Sequence, residues 1–241
     1  MKLARMPDGR PEIFYTLQGE GRNTGKPSVF IRSSLCNLHC VWCDTPYTWN
    51  WEDTTYQHES DAKYRREEQI IDFSIEEICE AVTAYPCQNY VLTGGEPLLQ
   101  ENAWLTLMGV LSGSFEIETN GTLLPGAEFL EKISQINVSP KLANSGVTLE
   151  DRWKPDVLSS LASTGKADFK FVIATPEDFT EVTSLVRDSG IPGDHVFLMA
   201  KAGTAEELEK NQGFVADLAM DEGFHYSDRL HLRLFGSGRG V

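Results

Sequence analysis

Short apolar stretches alternate with helix-forming segments along most of the chain, and this alternation constrains the fold more than any other feature of the sequence. The stretches that predict strands are Ser28–Ser33, Tyr90–Thr93, Glu116–Thr119, Ile133–Ser139, Asp168–Ile173, His195–Met199 and Leu230–Leu234. Capping boxes at Ser74 and Thr204 begin two of the helices between them. Strands that alternate with helices form βαβ units, so we expect an α/β fold with a mainly parallel sheet, built as one domain over residues 1–241.

The residues that could carry chemistry follow these strands directly. A cysteine-rich loop follows the first strand, Gly94-Gly95-Glu96 follows the second, Asn120-Gly121 the third and Pro140-Lys141 the fourth. In parallel sheets, functional sites lie at the carboxyl ends of the strands. The sequence therefore predicts that these segments converge on one site.

Three cysteines lie close together in the first of these loops, at Cys36, Cys40 and Cys43, with the spacing C-x3-C-x2-C. Thiolates at this spacing can bind three irons of a [4Fe–4S] cluster, which normally takes four thiolates, so one iron stays open to another ligand. Two other interpretations remain open. They are a zinc site with His39 as the fourth ligand, and a buried structural cluster of thiols.

The charge and the cysteine count exclude several classes of protein. The formal net charge is −15, which argues against nucleic acid and anionic membranes as partners because both attract Lys and Arg. No apolar stretch reaches the roughly 18 residues that span a bilayer. The five cysteines form an odd set, unlike a secreted disulfide framework. We therefore expect a cytoplasmic protein, in which Cys79 and Cys87 are small buried hydrophobic residues.

Two groups near the strand ends have both a structural and a functional interpretation. Gly94-Gly95-Glu96 is either a strand-to-helix connection or a place where the backbone approaches a ligand, with Glu96 accepting from an ammonium group. Arg32 stands inside an apolar strand and needs a partner. That partner is either an internal carboxylate or the carboxylate of a substrate, which a guanidinium binds in a bidentate manner.

Three further segments also leave alternatives open. Gln18–Gly21 forms either a polar turn or a site whose amide and carboxylate bind the hydrogen-bond donors of a heterocycle. Thr45 either caps the cysteine loop or coordinates Mg2+, which needs few protein ligands. Residues 46–70 are polar and aromatic without a clear period, and are predicted to be an inserted loop over a site or at an interface.

Two of these motifs together are similar to those of the radical S-adenosylmethionine (SAM) superfamily: the cysteine triad with Trp42 before its last member, and Gly94–Pro97. More specifically, the chain resembles the 7-carboxy-7-deazaguanine synthase family of queuosine biosynthesis. The matching segments are Glu12–Gly21, Cys43-Asp44-Thr45, Leu92–Pro97, Glu118–Thr122, Ser139-Pro140-Lys141 and Arg239-Gly240-Val241. They run from residue 12 to the last residue, so the resemblance covers nearly the whole chain.

The resemblance implies a role for each matching residue. Cys36, Cys40 and Cys43 would bind the cluster, and Thr45 would bind Mg2+. The residues implied to bind SAM are Trp42, Cys43, Asp44, Gly95, Glu96, Glu118, Ser139, Pro140 and Lys141. Those implied to bind the substrate, 6-carboxy-5,6,7,8-tetrahydropterin, are Leu17, Gln18, Gly19, Glu20, Arg32, Thr93 and Val241. The chain departs from the family pattern at Ala200-Lys201-Ala202, where SAM contacts are left unassigned.

The same resemblance implies a fold and a reaction. The fold would be a partial, shortened radical-SAM (β6/α3) barrel. The enzyme would be a carbon–nitrogen lyase that forms 7-carboxy-7-deazaguanine by a radical ring contraction with loss of ammonia. An external electron donor such as flavodoxin and a homodimer are also implied. The rival interpretations are an enzyme that generates a glycyl radical on a partner protein, and a zinc-binding interaction module.

Overall fold

Ten strands and nine helices make up the fold in a computed structural model that describes residues 1–241. The strands are β1 (Lys2–Ala4), β2 (Ile13–Leu17), β3 (Pro27–Ser33), β4 (Ile70–Asp72), β5 (Asn89–Gly94), β6 (Ser114–Thr119), β7 (Gln135–Val138), β8 (Ala167–Ile173), β9 (Val196–Ala200) and β10 (His225–Ser227). The helices are α1 (Arg66–Gln69), α2 (Ile75–Thr83), α3 (Glu101–Val110), α4 (Ala127–Lys132), α5 (Leu149–Arg152), α6 (Pro155–Ala162), α7 (Asp178–Ser189), α8 (Ala205–Glu222) and α9 (Leu230–Leu234). Single 3₁₀ turns lie at Pro46–Thr48, Pro97–Gln100, Ala143–Ser145 and Gly193–His195.

All the strands belong to one sheet, with the order β10-β9-β8-β7-β6-β5-β3-β1-β4 and with β2 paired to β3. The pairs from β3 to β10 are all parallel, whereas β1, β2 and β4 pair in the antiparallel direction. The predicted α/β class with a mainly parallel sheet is therefore confirmed. In the register of this sheet Arg32 is opposite Thr93, and Glu118 is opposite Asn137.

Backbone hydrogen bonds between strands do not close the sheet into a complete barrel, since β10 and β4 end the strand order. The segment that follows β2 approaches the β10 end instead. The amide of Gly21 donates to Ser227 Oγ at 2.9 Å, and the amide of Leu230 donates to the Gly19 carbonyl at 2.9 Å. This segment lies across the opening and brings residues 18–21 towards the last strand.

The predicted capping box at Ser74 is confirmed. Its Oγ accepts from the Glu77 amide at 3.2 Å, while Glu77 Oε2 accepts from the Ser74 amide at 2.8 Å. At the start of α8 only half of the predicted box forms. Thr204 Oγ1 accepts from the Glu207 amide, but the Glu207 carboxylate accepts from the amide of Gly203. Both arrangements satisfy amides that a helix start leaves unpaired.

The hydrophobic core is one cluster of 35 buried residues that extends from Leu3 to Leu232. Its largest members, Trp104, Phe129 and Phe169, are completely buried, and burial of such a side chain contributes roughly 1.5–3 kcal/mol. Cys79 and Cys87, predicted to be buried, are only partly buried and pack against this core. No helix in the structure has both the length and the apolar character that crossing a membrane requires.

The prediction of a last strand at Leu230–Leu234 is wrong, because these residues form α9. The alternating leucines match a strand pattern, but β10 already occupies the position beside β9. The Leu230 amide donates to the Gly19 carbonyl and not to a neighbouring strand. Of the three leucines, Leu232 is buried and Leu234 is exposed.

Candidate active site

A cavity of about 910 Å³ lies at the carboxyl ends of the parallel strands, where the sequence predicted a site. Seventeen of the predicted site residues line it. They are Leu17, Gln18, Gly19, Glu20, Arg32, Cys36, Cys40, Trp42, Cys43, Asp44, Thr45, Thr93, Gly95, Glu118, Ser139, Lys141 and Val241. The other two, Glu96 and Pro140, do not reach the cavity wall. The predicted convergence of the strand ends on one site is thus present in the fold.

The cysteine loop follows β3 and is held by its backbone. Leu35 turns the chain with a φ of +80°, and its amide donates to the Thr48 carbonyl at 3.0 Å. The amide of Val41 donates to the Ser145 carbonyl at 2.9 Å. The indole of Trp42 donates to the Asn144 carbonyl at 2.9 Å. The last two bonds anchor the loop to the segment after β7, and its three thiols line the same cavity.

Burial raises the pKa of all three thiols, Cys36, Cys40 and Cys43. The pKa of Cys40 rises to about 12. None of the three forms a disulfide. Thiols in such surroundings become thiolates only where a cationic group compensates their charge, as the irons of a cluster do. The donor set therefore fits a cluster bound by three cysteines.

The zinc interpretation fits less well. His39, its proposed fourth ligand, stacks on Tyr56 with the ring centroids 3.5 Å apart. The three thiols line the cavity whereas His39 does not, which argues against His39 as the fourth ligand.

The two glycines after β5 lie against the cysteine loop. A Cβ built on Gly94 would be 2.1 Å from the Ser33 carbonyl oxygen, and one built on Gly95 would be 2.1 Å from that of Leu35. A side chain at either position would displace the backbone that leads into Cys36. These close approaches give a structural reason for both glycines, and both also lie on the cavity wall.

Glu96 is completely buried beneath this wall. Its carboxylate accepts from the Asn120 amide at 2.8 Å, from Thr119 Oγ1 at 2.9 Å and from the Leu98 amide at 3.1 Å. Burial raises the pKa of Glu96, against the effect of these bonds. In this structure the carboxylate joins the ends of β5 and β6, and direct contact between Glu96 and an ammonium group of SAM stays a prediction.

The remaining residues predicted to contact SAM lie on both sides of the cavity. Lys141 Nζ donates to Ser139 Oγ at 2.9 Å and lies 5.5 Å from the ring centroid of Trp42. Glu118 accepts from Thr93 Oγ1 at 2.7 Å and from Gln18 Nε2 at 3.2 Å. Glu118 thereby connects residues predicted to bind SAM with residues predicted to bind the substrate.

Arg32 has the internal carboxylate partner that its sequence position allowed, and its contact with a substrate stays a prediction. Its Nε donates to Glu12 Oε1 at 2.9 Å, and Glu12 also accepts from Tyr47 and from Arg239. This is the internal salt bridge. The terminal nitrogens of Arg32 make no hydrogen bond within the chain, and the residue lines the cavity. They are free for a bidentate contact with an anion.

Glu20 lies between two cations that sequence reasoning missed. Lys170 Nζ pairs with one of its oxygens, and Arg229 Nε donates to the other at 2.9 Å. Arg229 also donates to Asp44 Oδ2 at 2.7 Å. Burial would raise the pKa of Glu20, but the two cations hold it well below its ordinary range. Glu20 is therefore a carboxylate whose remaining lone pairs can accept from a ligand.

One of the two missed cations, Lys170, could have been predicted from the sequence. Lys170 stands between Phe169 and Phe171 in an apolar strand, as Arg32 does in its own strand, and a buried lysine there needs a partner. Arg229, which precedes the predicted strand Leu230–Leu234, and His231, which lies within it, had no such signal. His231 packs against Gly19, where an added Cβ would lie 2.4 Å from its Nδ1.

We expect Glu20→Gln to destabilise the protein by about 3 kcal/mol at neutral pH, because it leaves buried cations without their partner. The pKa of Glu20 is lower in the folded chain than in the unfolded chain. Its charge therefore stabilises the fold above the unfolded value of about 4.3, and this contribution is lost as the pH falls below it. Calorimetry from neutral to acidic pH should show the difference in Tm shrinking in acid. A difference that is the same at every pH would contradict the ion-pair assignment, and exposed Glu80→Gln is the control.

The inserted residues 46–70 form part of the cavity wall, through His58, Glu59 and Ser60. The Nε2 of His58 lies 2.7 Å from the Cys43 carbonyl oxygen, so the insertion contacts the cysteine loop. Glu59 Oε1 lies 2.5 Å from Lys201 Nζ, on the loop after β9. Three residues of this segment thus line the cavity beside the cysteine loop, and its being an insertion stays a prediction.

Comparison with known proteins finds similar proteins over most of the chain. Residues 30–210 match the family model described as the Radical SAM superfamily. The chain is 35% identical to the 7-carboxy-7-deazaguanine synthase of Pyrobaculum aerophilum, over 95% of each chain. It is 36% identical to the enzyme of that name from Halobacterium salinarum, over 93% of this chain and 89% of the relative.

A solved structure shares the fold. QueE from Escherichia coli matches with a TM-score of 0.65 at 23% identity, over 96% of this chain and 95% of the other. The match supports the predicted shortened radical-SAM architecture, in which an incompletely closed parallel sheet surrounds the site. Together with the cysteine loop, the glycine pair and the identities over whole chains, it leads to one assignment. The chain belongs to the 7-carboxy-7-deazaguanine synthase family of the radical SAM superfamily.

Proposed function

We propose that this protein converts 6-carboxy-5,6,7,8-tetrahydropterin to 7-carboxy-7-deazaguanine, with loss of ammonia, in 7-deazapurine (queuosine) biosynthesis. The observation that carries the proposal is that one cavity holds both halves of the required chemistry. Three cysteine thiols line one part of it, and Glu20 and Arg32, a carboxylate and a free guanidinium edge, line another. The relatives that share the chain from end to end bear the name of this activity.

Cys36, Cys40 and Cys43 would hold three irons of a [4Fe–4S] cluster, and SAM would lie along Trp42, Asp44, Gly95, Glu118 and Ser139 to Lys141. When bound, the cluster and SAM supply a 5′-deoxyadenosyl radical that can abstract hydrogen. The contribution of the chain is to orient both groups and to exclude water. Lys141 adds a positive charge beside the thiols, where it lowers the pKa of Cys40 against the effect of burial.

The substrate would be held by complementary hydrogen bonds. Glu20 would accept from the amino and ring N–H groups of the pterin, since an ionised carboxylate is an acceptor only. Arg32 would bind the substrate carboxylate through its terminal nitrogens. Leu17, Gln18, Gly19 and Thr93 would enclose the ring from β2, the residues after it and β5, and Val241 would lie against it. These residues all lie on the cavity wall.

We also propose that Thr45 binds Mg2+ together with substrate oxygens. Thr45 is buried at the cavity, and its hydroxyl lies 3.6 Å from the Cys43 sulfur. Mg2+ commonly uses few protein oxygens and takes the others from ligand or water. A cation at this position would stabilise negative charge on the substrate during ring contraction.

Thr45→Ala should therefore remove most of the stimulation of turnover by Mg2+, because the hydroxyl ligand is lost. Thr45→Ser keeps the hydroxyl and should keep the response. The measurement is the initial rate of product formation as a function of Mg2+ concentration, with cluster content matched between the proteins. A Thr45→Ala enzyme with an unaltered Mg2+ titration would rule out this ligand.

The electron donor, the oligomer and the compartment are further parts of the proposal. Outside the triad the chain has only Cys79 and Cys87, which are too few for a second cluster, so the electron would come from an external donor such as flavodoxin. All five cysteines are free thiols, which suits a reducing cytoplasm. We infer a homodimer, one domain per chain, from the family.

The experiment that tests the function is anaerobic reconstitution followed by turnover. Iron, sulfide and zinc are determined first, and the protein is then incubated with dithionite, SAM, Mg2+ and 6-carboxytetrahydropterin. We expect about four irons per chain and a product whose mass corresponds to the loss of one ammonia. Formation of 5′-deoxyadenosine without this product would assign the chain to another substrate, such as a glycyl residue of a partner protein. A colourless zinc protein would overturn the proposal.

A further inference from the structure

Residues 236–241 follow α9 and lead to the cavity, although they belong to no helix or strand. Val241 lines the cavity of about 910 Å³ together with Thr16 and Leu17. The same three residues also line a smaller cavity of about 370 Å³. A segment without regular structure is poorly ordered unless other contacts hold it. The position of Val241 beside Leu17, another residue predicted to bind the substrate, therefore needs an anchor.

Arg239 supplies this anchor through contacts with distant parts of the chain. Its Nη2 donates to the Arg5 carbonyl at 2.8 Å and to Glu12 Oε2 at 2.9 Å. Its Nη1 donates to Gln69 Oε1 at 3.1 Å. The guanidinium carbon lies 3.5 Å from the ring centroid of Tyr47, which is a cation–π contact. Only Nε is left without a partner.

The other residues of this segment add no hydrogen bond of their own. Arg239 makes every hydrogen bond that residues 237–241 form. Its side chain is 22% exposed, and that of Glu12 is 1% exposed. Hydrogen bonds between charged groups are stronger than those between neutral groups, and burial protects this pair from screening by salt. The place of the segment thus depends on one side chain.

Gly240 turns the chain between this anchor and the cavity. Its φ is +75°, in the left-handed region that glycine adopts without strain. A Cβ built on Gly240 would lie 3.1 Å from Met6 Cε, so the backbone passes close to the residues that follow β1. A fixed guanidinium and a tight turn together determine where the next residue, Val241, meets the cavity.

We propose that Arg239 is a positioning residue that holds Val241 against the substrate side of the cavity, beside Leu17. The inference rests on the proposed function, since that side is the part predicted to bind 6-carboxytetrahydropterin. Arg239 itself does not line the cavity, so it acts on the substrate only through the segment that it anchors. Loss of the anchor should weaken substrate binding without affecting SAM, because the residues predicted to bind SAM lie on other elements.

The test compares Arg239→Ala with Arg187→Ala, its matched control. Arg187 also pairs with a carboxylate, Asp188, but its side chain is 74% exposed and does not line the cavity. Steady-state kinetics are normalised to cluster content. Loss of the contact of one valine side chain corresponds to roughly a tenfold rise in the KM for 6-carboxytetrahydropterin. We expect this rise in Arg239→Ala, with an unchanged KM for SAM, a smaller rise in Arg239→Lys and none in Arg187→Ala.

A readout that does not depend on turnover is cleavage by chymotrypsin after Phe235, which is 49% exposed. A protease cuts a segment that is free to leave the surface much faster than one that is held. The rate is followed by intact mass, as the loss of residues 236–241. We expect cleavage to be severalfold faster in Arg239→Ala than in the unsubstituted protein and in Arg187→Ala. An unchanged cleavage rate in Arg239→Ala overturns the inference.

Gly240→Val separates the segment from the Glu12 pair and covers the case in which Arg239→Ala fails to fold. It leaves Arg239 on Glu12 but places a branched side chain at a positive φ, where it displaces Val241. We expect a raised KM for the pterin with slow cleavage after Phe235. A raised KM in Arg239→Ala beside an unchanged KM in Gly240→Val overturns the inference, because the effect would then come from Glu12 and Arg32. Failure of the unsubstituted protein to form deazaguanine product would overturn the proposed function, whereas the cleavage rates test the anchor independently.

Discussion

Cys40→Ala should leave the protein with no stable [4Fe–4S] cluster and with no detectable turnover. Cys40 is one of only three thiols on the cavity wall, and all other cysteines lie outside it. Two thiolates cannot replace three around a cluster that normally takes four ligands. Iron and sulfide content after anaerobic reconstitution, together with the visible absorption of the cluster, measures the loss directly.

Cys87→Ala is the matched control for this loss. Cys87 is also a partly buried free cysteine, but its thiol lies 3.3 Å from the Pro27 carbonyl at the far end of β3. We expect this variant to take up iron and to turn over like the unsubstituted protein. Circular dichroism of both variants separates loss of the cluster from loss of the fold. A Cys40→Ala protein that is brown and active would refute the assignment of the triad.

Arg32→Ala should raise the KM for 6-carboxytetrahydropterin roughly tenfold to a hundredfold. A hydrogen bond to a charged group is worth about 1.5–3 kcal/mol, and each 1.4 kcal/mol is a factor of ten. Arg32→Lys should recover only part of the affinity, since an ammonium cannot form the planar two-bond contact of a guanidinium. Steady-state kinetics at saturating SAM, normalised to cluster content, would give both values.

The internal salt bridge of Arg32 requires its own control. Glu12 is 1% exposed and pairs with both Arg32 and Arg239, so part of the effect of Arg32→Ala could come from disturbing this carboxylate. Glu12→Gln disturbs the same pair but keeps the guanidinium in the cavity. We expect it to lower the free energy of unfolding with a smaller effect on KM. Equal effects of the two substitutions on KM would indicate that Arg32 has only a structural role.

Much of the site was predictable because its motifs are local. The cysteine spacing, the glycine pair after β5 and the capping box at Ser74 each occupy a few consecutive residues, whose chemistry does not depend on the rest of the chain. The apolar strands predicted a parallel sheet, and a parallel sheet brings its strand ends together. Arg32 was predictable from its exceptional place in an apolar strand, and the same pattern at Lys170 could have been used.

The failure at the last predicted strand has a different cause. Leu230–Leu234 has the alternation of a strand, yet β10 occupies the adjacent sheet position and the segment becomes α9. A similar competition acts at Glu96, whose oxygens accept from the amides that follow β5 and β6, while its contact with SAM stays a prediction. In both cases tertiary neighbours compete for groups that local patterns leave free, and the outcome depends on which neighbours the sheet order provides.

The sequence by itself determined that this protein has three adjacent thiols, a parallel sheet and a set of polar residues at its strand ends, because these properties are carried by residue types and short spacings. Only the tertiary structure decided which residues from distant parts of the chain contact one another. Glu20 meets Arg229 across 209 positions of the chain, and Glu12 meets Arg239 across 227. His58 contacts the carbonyl oxygen of Cys43. Contacts of this kind depend on strand order and register, which fix distances between residues that no local propensity connects.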